Sequence, residues 1–361
     1  MYLKDLVDIQ MGQSPDSKFY NNDKIGLPFY QGKADFGRIN PIPKIWCSKS
    51  KKEAKPNDIL ISVRAPVGDL NINNEQSCIG RGLAAITCKS DVDMMYLYYH
   101  LKYLKPQLRH ISTGSTFESI NRSQLENLII DYKPYSEQIK ISNILQVVQR
   151  QIEVREKLLR LYDLLIKSRF VEMFGDPVIN NKKWASMNLQ EISIKITSGN
   201  TPQGGSRVYI NHGILFIRSQ NVWNNRLELD DVVYISESFN EKMKETRLRR
   251  NDILITKTGR FNTENSSLGR CALYTGPDFQ ANINGHVYLV RLKSEYNPNF
   301  ILSILTSEAY KNLIRSVCVG GIDKRQLNKS HIELFPIIIP PIELQNQYVH
   351  FLLKINKLKF A

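Results

Sequence analysis

The sequence lacks any long hydrophobic run. No apolar stretch in its 361 residues approaches the ~20 residues that a membrane-spanning helix needs. The first residues, Met1 to Asp5, contain no apolar segment of the kind that a secretory signal peptide requires. The sequence therefore predicts a soluble, cytoplasmic protein, and it argues against a membrane as the partner of its basic residues.

The chain is also poor in the residues that form disulfides and metal sites. Its five cysteines are an odd number, no two are spaced as Cys-x-x-Cys, and its six histidines are scattered without metal-ligand spacing. We therefore expect reduced, mostly buried thiols and no metal ion. The cysteines are Cys47, Cys78, Cys88, Cys271 and Cys318, and the histidines are His100, His110, His212, His286, His331 and His350.

Motifs of enzymes that act on DNA are missing as well. There is no G-x-x-x-x-G-K-[ST] loop to hold ATP phosphates and no Asn-Pro-Pro-aromatic motif of an amino-methyltransferase. The dinucleotide-like string from Gly80 to Ala85 follows polar residues rather than a strand. Asp16 and Lys18 form too ordinary a pair to indicate a nuclease. The sequence predicts a chain without a catalytic site or a cofactor of its own.

Acidic residues are fewer than basic ones, 35 against 49, so the formal net charge is +14. Excess Lys and Arg favours a polyanionic partner, because neutralising phosphates releases condensed counterions. The hydrophobic content of 42% is typical of a folded chain. The length indicates two domains of roughly 150 residues and an additional segment.

The most informative feature of the sequence is an internal repeat, in which residues 1–145 match residues 188–352. The clearest correspondence joins Asn57-Asp58-Ile59-Leu60-Ile61-Ser62 to Asn251-Asp252-Ile253-Leu254-Ile255-Thr256. A Gly-x-[ST]-Pro turn opens both copies, and we assign it to backbone geometry. Further matches join Gly12 and Pro15 to Gly199 and Pro202, Pro28–Gln31 to Leu215–Arg218, Ile120–Ser123 to Leu327–Ser330, and Pro134 and Gln138 to Pro341 and Gln345.

Each copy has the pattern of a mixed α and β domain. Short β-branched runs bounded by turn residues predict strands at Ile59–Val63, Leu83–Thr87 and Val287–Val290. Helical stretches are expected at Met94–Leu104 and Pro298–Ser316. The second copy is longer in its middle loops, which suggests divergent binding surfaces on one scaffold.

A segment without Gly or Pro separates the copies, from Tyr135 to Phe174, and Gly175-Asp176-Pro177 ends it. Its apolar positions alternate by four and three residues, which predicts a coiled-coil helix about 60 Å long. Two ordinary surface helices are the alternative. The seam positions are Ile141, Leu145, Val148, Ile152, Leu159, Tyr162, Ile166 and Met173, with Arg155 and Arg169 in the same register.

A second, shorter helix of this kind is predicted after Pro340-Pro341 and stops at Ala361. Its seam positions, Tyr348, Leu352 and Ile355, correspond to Ile141, Leu145 and Val148 of the central segment. A helix of this length can pair with only part of the central seam. A truncated chain, a naturally shortened gene and pairing with another chain each explain the difference, and the sequence leaves all three open.

Two mixed domains in tandem, each followed by a helix of this type, resemble the specificity subunit of type I restriction-modification systems. The resemblance covers essentially the whole chain. Each copy opens with a Leu-x-x-hydrophobic stretch, Leu3-Lys4-Asp5-Leu6 and Leu189-Gln190-Glu191-Ile192. The Asn-Asp-Ile-Leu strings stand where the family commonly has Gly-Asp-hydrophobic-Leu. Pro340-Pro341-x-x-x-Gln345 matches the exit of the family's second domain, and Lys133-Pro134-x-x-x-Gln138 matches it in part.

The resemblance implies an α+β protein with two tandem, homologous target recognition domains, whose two helices pair as an antiparallel coiled coil and set the gap between half-sites. The implied segments are 1–133 (target recognition domain 1), 134–175 (central helix), 176–340 (target recognition domain 2) and 341–361 (distal helix). The implied role is that of a non-catalytic subunit that reads an asymmetric, bipartite site in double-stranded DNA.

The resemblance also implies partners. Modification subunits would bind S-adenosylmethionine, and restriction subunits would use ATP and Mg. Self-association through the unpaired part of the central helix is a further option. Two other interpretations stay open: a restriction-modification enzyme with an unrecognised catalytic function, and a coiled-coil scaffold without a DNA role.

Base edges are read mainly by forked or bidentate groups such as Arg, Asn and Gln, whereas Lys and backbone amides mostly hold phosphate. We expect such residues on polar loops between strands, and a solvated surface charge is the alternative for each of them. The candidates in the first domain are Lys18, Gln31, Lys33, Arg38, Arg64 and Arg81. Those in the second domain are Arg207, Arg218, Gln220, Asn221, Lys257, Arg260 and Asn262, with Lys324 and Arg325 as phosphate clamps.

Overall fold

The computed structural model of the protein describes residues 1–112, 118–201, 204–263 and 265–360. The chain divides into two compact units, Met1–Glu156 and Lys157–Ala361. The boundary lies inside the long helix, so each unit contains about half of it. The division into four segments stays a prediction. Pro202, which we assigned to a turn, lies outside the described residues.

The first unit consists of two sheets and a set of helices. One sheet is antiparallel with the order β1-β9-β6-β7, and the other has the order β2-β4-β3-β8-β5 with β3 and β8 parallel. The elements are α1 (Leu3–Leu6), β1 (Val7–Met11), β2 (Tyr20–Asn21), β3 (Leu27–Tyr30), β4 (Ile45–Cys47), β5 (Glu53–Ala54), β6 (Ile59–Ser62), β7 (Leu70–Ile72), β8 (Ser77–Ile79), β9 (Leu83–Cys88), α2 (Met94–Tyr103), α3 (Lys105–Ile111), α4 (Arg122–Glu126) and the first half of α5 (Tyr135–Phe174).

The second unit repeats this plan. Its antiparallel sheet has the order β11-β20-β16-β18, and a second sheet, β15-β12-β19, has β12 and β19 parallel. The elements that follow α5 are β10 (Ser186–Asn188), β11 (Ser193–Ser198), β12 (Ile214–Ile217), β13 (Val222–Trp223), β14 (Arg226–Leu227), β15 (Val233–Ile235), α6 (Glu237–Lys242), β16 (Ile253–Thr256), β17 (Thr258–Arg260), β18 (Cys271–Leu273), β19 (Ala281–Ile283), β20 (Val287–Leu292), α7 (Pro298–Leu305), α8 (Glu308–Val317), β21 (Val319–Gly320), β22 (Lys324–Gln326), α9 (Lys329–Glu333), β23 (Pro336–Ile338) and α10 (Ile342–Phe360).

The central strands β6 and β16 explain the closest sequence match between the copies. All four residues of each strand are buried. Alternate side chains of a strand point to opposite faces, so Ile59 and Ile61 enter the core beside the helices while Leu60 enters the core between the sheets. In β16, Ile253 and Ile255 lie in one core and Leu254 in the other. A strand buried on both faces needs a continuous apolar run, and both copies supply one.

The long helix predicted from Tyr135 to Phe174 is confirmed as α5 with those bounds. In the second unit, the C-terminal half of α5 pairs with α10. Tyr348 packs against Phe170, with ring centroids 5.4 Å apart, and near the other end of α10 Lys359 Nζ contacts Asp163 Oδ1. Residue numbers thus rise along one helix as they fall along the other, so the two helices are antiparallel.

The helices α5 and α10 begin with the same hydrogen bond from a glutamine side chain. This bond accounts for the Pro-x-x-x-Gln match between the two copies. Gln138 and Gln345 are buried. Gln138 Nε2 donates a hydrogen bond to the carbonyl oxygen of Lys133 (2.8 Å), and Gln345 Nε2 donates one to that of Pro340 (2.8 Å). The glutamine side chain therefore fixes the direction in which each helix leaves its domain.

One helical stretch differs from the prediction. The segment Pro298–Ser316 was expected to be helical throughout, but it forms two helices, α7 and α8, that break at Thr306. The Thr306 hydroxyl donates back to the carbonyl of Leu302 (2.8 Å), and Ser307 caps α8 by accepting a hydrogen bond from the backbone N–H of Tyr310 (3.3 Å). A Thr-Ser pair competes with the helix backbone in this way, so it ends one helix and starts the next.

The cysteines match the expectation of buried thiols: all five are free, four are buried and Cys88 is half-buried. Within the described part of the chain, no helix has the length and apolarity that crossing a membrane requires.

Candidate nucleic-acid interface

In the first unit, predicted site residues gather where β3, β6 and β8 end. The backbone N–H of Gly80 donates to Tyr30 O (2.8 Å), and that of Gly82 donates to Gln31 O (3.1 Å). The N–H of Val63 also donates to Gly82 O (2.8 Å), which joins the third strand to the same turn. The polar residues that follow these strand ends, which we call the first strand-end cluster, are Gln31, Lys33, Arg64 and Arg81.

One member of this cluster, Lys33, forms an ion pair within the protein, and among the described residues the other three side chains do not. Lys33 Nζ lies 3.1 Å from Asp69 Oδ2, and Lys105 Nζ lies 2.5 Å from the other oxygen. Partial burial alone would raise the pKa of Asp69, but hydrogen bonds from Lys105 and Lys33 hold it below its usual value. Gln31, Arg64 and Arg81 are exposed, and the described part of the chain contains no hydrogen-bond or ion-pair partner for their side chains. These three side chains are therefore available to a ligand.

The second unit builds an equivalent site at the same place. The N–H of Asn284 donates to Ile217 O (3.0 Å), and the N–H of Lys257 donates to His286 O (2.8 Å). The polar residues that follow these strand ends, which we call the second strand-end cluster, are Arg218, Gln220, Lys257 and His286. His286 is exposed and was not among the predicted site residues. Its backbone carbonyl takes the place of that of Gly82 in the first unit, the residue after Arg81.

Asp231 organises part of this cluster. Arg218 Nη2 lies 3.2 Å from its carboxylate, and Gln220 Nε2 donates to it at 2.6 Å. Asn221, by contrast, is only 2% exposed, and its amide donates to the carbonyls of Glu228 and Asp231. Those bonds close the loop after β12, so we assign Asn221 to loop structure, in place of the predicted DNA contact.

A second basic site in this unit is a small sheet of β17, β22 and β21, which we call the clamp sheet. Arg260 pairs with Lys324, and Gly259 pairs with Arg325. Arg260 is exposed, and its Nε lies 3.8 Å from Asp323 Oδ2. The guanidinium of Arg325 lies 4.9 Å from the centroid of the Phe261 ring. The predicted phosphate clamps thus lie on a strand beside Arg260.

Four predicted residues lie apart from these clusters, and one of them, Asn262, is exposed two residues after the end of β17. Lys18 is exposed, with its Nζ 5.2 Å from the Phe19 ring centroid, and Arg207 is exposed in a short 3-10 helix. Arg38 Nη2 lies 3.2 Å from Glu153 Oε1 and 3.6 Å from Glu156 Oε2, both on α5. Arg38 therefore supports the helix in this structure.

Four basic residues that sequence reasoning missed surround a pocket beside the clamp sheet. Arg226 and Arg270 approach Trp223 from β14 and from the start of β18, and Lys311 and Arg315 belong to α8. They come from three separate stretches of sequence, and none of those stretches is rich in basic residues. No local signal could have grouped them.

The seam positions are buried to different degrees. Tyr348 and Ile355 on α10 are buried, and Ile166 and Leu352 pack against the core of the second unit. Ile141, Leu159 and Tyr162 are half-buried. Leu145, Val148 and Ile152 on the first half of α5 are 37%, 49% and 49% exposed. Among the described residues, no three His, Cys, Asp or Glu side chains are grouped as a metal site requires.

Comparison with known proteins gives two matches to one family model, described as Type I restriction modification DNA specificity domain, over residues 1–160 and 181–360. A protein of Methanocaldococcus jannaschii, provisionally described as the type I restriction enzyme MjaX specificity subunit, is 45% identical over 150 residues. Those residues are 41% of this chain and 35% of that protein, so the chain covers about a third of this relative.

Two further comparisons extend over most of the chain. The type I restriction enzyme MjaIX specificity subunit of the same organism is 25% identical over 375 aligned residues, which cover 94% of this chain and 82% of that protein. The crystal structure of a type I restriction-modification S subunit from M. genitalium matches with a TM-score of 0.61, covering 99% of this chain and 89% of that one, at 15% identity. The latter match shows a shared fold.

Proposed function

The chain belongs to the family of type I restriction modification DNA specificity domains, and on that premise we propose that it reads an asymmetric, bipartite site in double-stranded DNA. The observation that carries the proposal is the pair of strand-end clusters. They occupy the same place in two units whose four-stranded antiparallel sheets share one strand order, yet their side chains differ: Gln31, Arg64 and Arg81 in one and Arg218, Gln220 and Lys257 in the other. One scaffold with two sets of readers suits two different half-sites.

The side chains of the clusters have the chemistry that base reading needs. Arg donates a planar fork to the O6 and N7 atoms of guanine, and Gln pairs in a bidentate manner with adenine. Gln31 and Arg81 present one group of each kind in the first unit. Lys324 and Arg260, exposed on the clamp sheet, suit phosphate oxygens, which position the protein without reading sequence.

In this proposal the chain is the non-catalytic subunit of a larger complex. Modification subunits that bind S-adenosylmethionine would methylate the site, and restriction subunits would cut DNA with ATP and Mg. The chain itself would need no cofactor, and the complex would act in the cytoplasm. The names of the M. jannaschii relatives, which are specificity subunits of restriction enzymes, support this assignment.

The test is single-molecule sequencing of adenine methylation in cells that carry this chain with its modification subunits. Cells with the modification subunits alone are the control, and assembly of the complex is confirmed by co-purification. We expect a new asymmetric motif, made of two specific parts and an unspecific gap. An assembled complex that adds no motif, or a purified chain that methylates or cleaves DNA by itself, would contradict the proposal.

A further inference from the structure

A pocket of about 220 Å³ opens in the second unit between β13–β14, the loop after β17 and the start of α8. Its volume is several times that of one water molecule, about 30 Å³. Four basic side chains line it: Arg226, Arg270, Lys311 and Arg315. None of the described residues that line it is acidic. The described lining of the pocket is therefore basic, and two of its side chains, Arg226 and Lys311, also pair with Glu228 and Glu308. Glu264, between the lining residues Thr263 and Asn265, lies outside the described residues.

Arg270 is the most informative of these residues because it is buried. It is 9% exposed, and its guanidinium lies 3.7 Å from the centroid of the Trp223 ring. Its Nε and Nη2 donate to the carbonyls of Ser266 (3.0 Å) and Asn265 (2.6 Å). Among the described residues no carboxylate forms an ion pair with it, and the neighbouring Glu228 pairs with Arg226 instead, whereas a buried cation is normally stabilised by a counter-ion.

Burial and neighbouring charges of both signs act on the pKa of Arg270. Burial lowers its pKa below the ordinary arginine value, the charge of Glu228 opposes this lowering, and the charge of Arg226 adds a smaller lowering. Glu228 already pairs with Arg226, at 2.6 Å. A guanidinium held by two carbonyls and a ring, and in no ion pair with a carboxylate of the described residues, would be stabilised by an anion in the pocket.

Helix α8 adds a second set of anion-binding groups. Thr306 and Ser307, the N-cap residue of α8, line the pocket. The first backbone N–H groups of a helix have no partner inside the helix. Lys311 lies one turn further along, with its side chain 57% exposed and its Nζ 3.6 Å from Glu308 on the same helix. That contact joins two exposed side chains, so it is weak and leaves Lys311 able to turn to a ligand.

The pocket is continuous with the clamp sheet. Thr263 and Asn265 line it and follow β17 closely in sequence. Arg315 lines it as well, and its guanidinium lies 4.3 Å from the Phe261 ring, on which Arg325 of the clamp sheet also packs. The pocket and the exposed Arg260 and Lys324 therefore belong to one basic surface.

We propose that this pocket binds one phosphate group of the DNA backbone, and the proposal rests on the DNA-reading function given above. It assigns Arg270 as a fixed donor and Lys311 and Arg226 as mobile ones. A free or terminal phosphate has the same chemistry as a backbone phosphate, so the test must separate the two sources.

The first arm uses inorganic phosphate and the full chain, and it follows the broadening of the ³¹P resonance as protein is added. The variants are Lys311→Gln and the double variant Arg226→Gln with Lys311→Gln, in which only exposed side chains change. Lys242→Gln on α6 is the matched control, since it removes one exposed positive charge outside the pocket. We expect the pocket variants to weaken phosphate binding at least threefold and the control to leave it unchanged.

The second arm measures binding of the complex with its modification subunits to a duplex that contains its methylation motif, between 50 and 200 mM salt. Each phosphate contact contributes about 0.9 to the slope of log K against log salt, so Lys311→Gln should lower the slope by about one while the recognised motif stays the same. Lys242→Gln should leave the slope unchanged.

Loss in both arms, with the control unchanged, supports the proposal. Weaker phosphate binding with an unchanged DNA slope overturns it and leaves a pocket for a free phosphate. Unchanged phosphate binding, or an equal loss in the Lys242 control, also overturns it. A wild-type complex that binds no DNA contradicts the proposed function instead, and the phosphate titration then still decides whether the pocket binds anions.

Discussion

Asp58 and Asp252 precede the central strands of the two units, and both are almost fully buried. Their carboxylates are satisfied differently. Asp58 accepts hydrogen bonds from the Thr87 hydroxyl (2.7 Å) and from the N–H of Lys55 (2.7 Å). Asp252 accepts a two-pronged contact from Arg291, at 2.8 and 2.7 Å, besides one from the N–H of Arg249. The first site therefore relies on neutral donors and the second on a counter-ion.

This difference predicts unequal costs of removing the partner. Arg291→Met leaves a buried, unpaired carboxylate, and we expect a loss of about 3 kcal/mol in the free energy of unfolding. Thr87→Val removes one neutral hydrogen bond, and we expect a loss of about 1 to 2 kcal/mol. Urea unfolding at pH 7 measures both values. Equal losses would show that Asp252 does not depend on the charge of Arg291.

The surroundings of His100, on α2, predict how its contribution to stability depends on pH. Its Nε2 accepts a hydrogen bond from the N–H of Asp131 (3.4 Å). Burial lowers the pKa of His100, against opposing effects of the Asp131 charge and of a hydrogen bond with the backbone of Ile129. The folded protein therefore favours the neutral imidazole.

Because the folded pKa lies below the unfolded value of about 6.5, the unfolded chain takes up a proton first as the pH falls. The contribution of His100 to stability is therefore complete above pH ~6.5 and is lost as the pH falls through the folded pKa. We expect the difference in unfolding free energy between the wild type and His100→Gln to shrink from pH 7.5 to pH 5. A difference that is constant over this range would contradict the assignment.

Arg81 tests base reading at the level of one side chain. It is exposed in the first strand-end cluster, so Arg81→Ala should relax or change one half of the methylated motif and leave the other half intact. Sequencing of methylated adenines in cells that carry the variant complex is the measurement. Lys102→Ala, which removes an exposed charge from α2, should leave the motif unchanged. Changes in both halves would mean that Arg81 acts through the general fold.

At the scale of elements, the turn that opens each copy depends on glycine. An added Cβ on Gly12 would lie 2.2 Å from the carbonyl oxygen of Gly80, and one on Gly199 would lie 2.1 Å from that of Ile283. The ends of β1 and β11 therefore pass against the backbone of the segment that leads into β9 or β20. This close approach explains why both copies have Gly at this position.

Gly12→Ala and Gly199→Ala should each destabilise the protein, by about 1 to 3 kcal/mol if the backbone shifts to relieve the overlap. Gly32→Ala is the matched control, because nothing lies within 4 Å of a Cβ built there and its φ of −179° suits any residue. Thermal melting of the three variants is the measurement. A loss in the control as large as in the other two would remove the steric explanation.

The long helix α5 has a different role in each unit. In the first unit Gln138 and Ser142 are buried, and Glu153 pairs with Arg38, so the helix face that packs on the domain is largely polar. In the second unit Phe170 and Phe174 pack against Tyr348 of α10. One helix thus joins the two units through polar contacts at one end and an aromatic core at the other.

At the scale of the whole molecule, α5 is the continuous connection between the two units. Four residues inserted after Glu156 would lengthen it by about 6 Å at 1.5 Å per residue. We expect the gap of the methylated motif to grow by about one or two base pairs, at 3.4 Å per base pair, with both half-sites unchanged. Sequencing of methylation motifs is again the measurement. An unchanged gap in an assembled, active complex would refute the role of α5 as a ruler.

Local patterns in the sequence were sufficient for the long helix and for the central strand of each unit. The 4-3 spacing and the absence of Gly and Pro predicted α5 with the bounds that the structure has. The doubled Asn-Asp-Ile-Leu string predicted two copies of one scaffold, and both sheets contain it as the strand between β9 and β7 or between β20 and β18. Such patterns are readable because a helix or strand repeats its burial every few residues.

Groups assembled from distant segments were decided by the tertiary structure alone. From the sequence we predicted that Asn221 contacts DNA, but packing buries it. Arg226, Arg270 and Lys311 line one pocket only because three separate segments converge there. Sequence alone determined that this chain repeats one scaffold twice around a long helix, since repetition and periodicity are local. Only the fold decided which charges share a surface, because long-range contacts set the distances between side chains that are far apart in the chain.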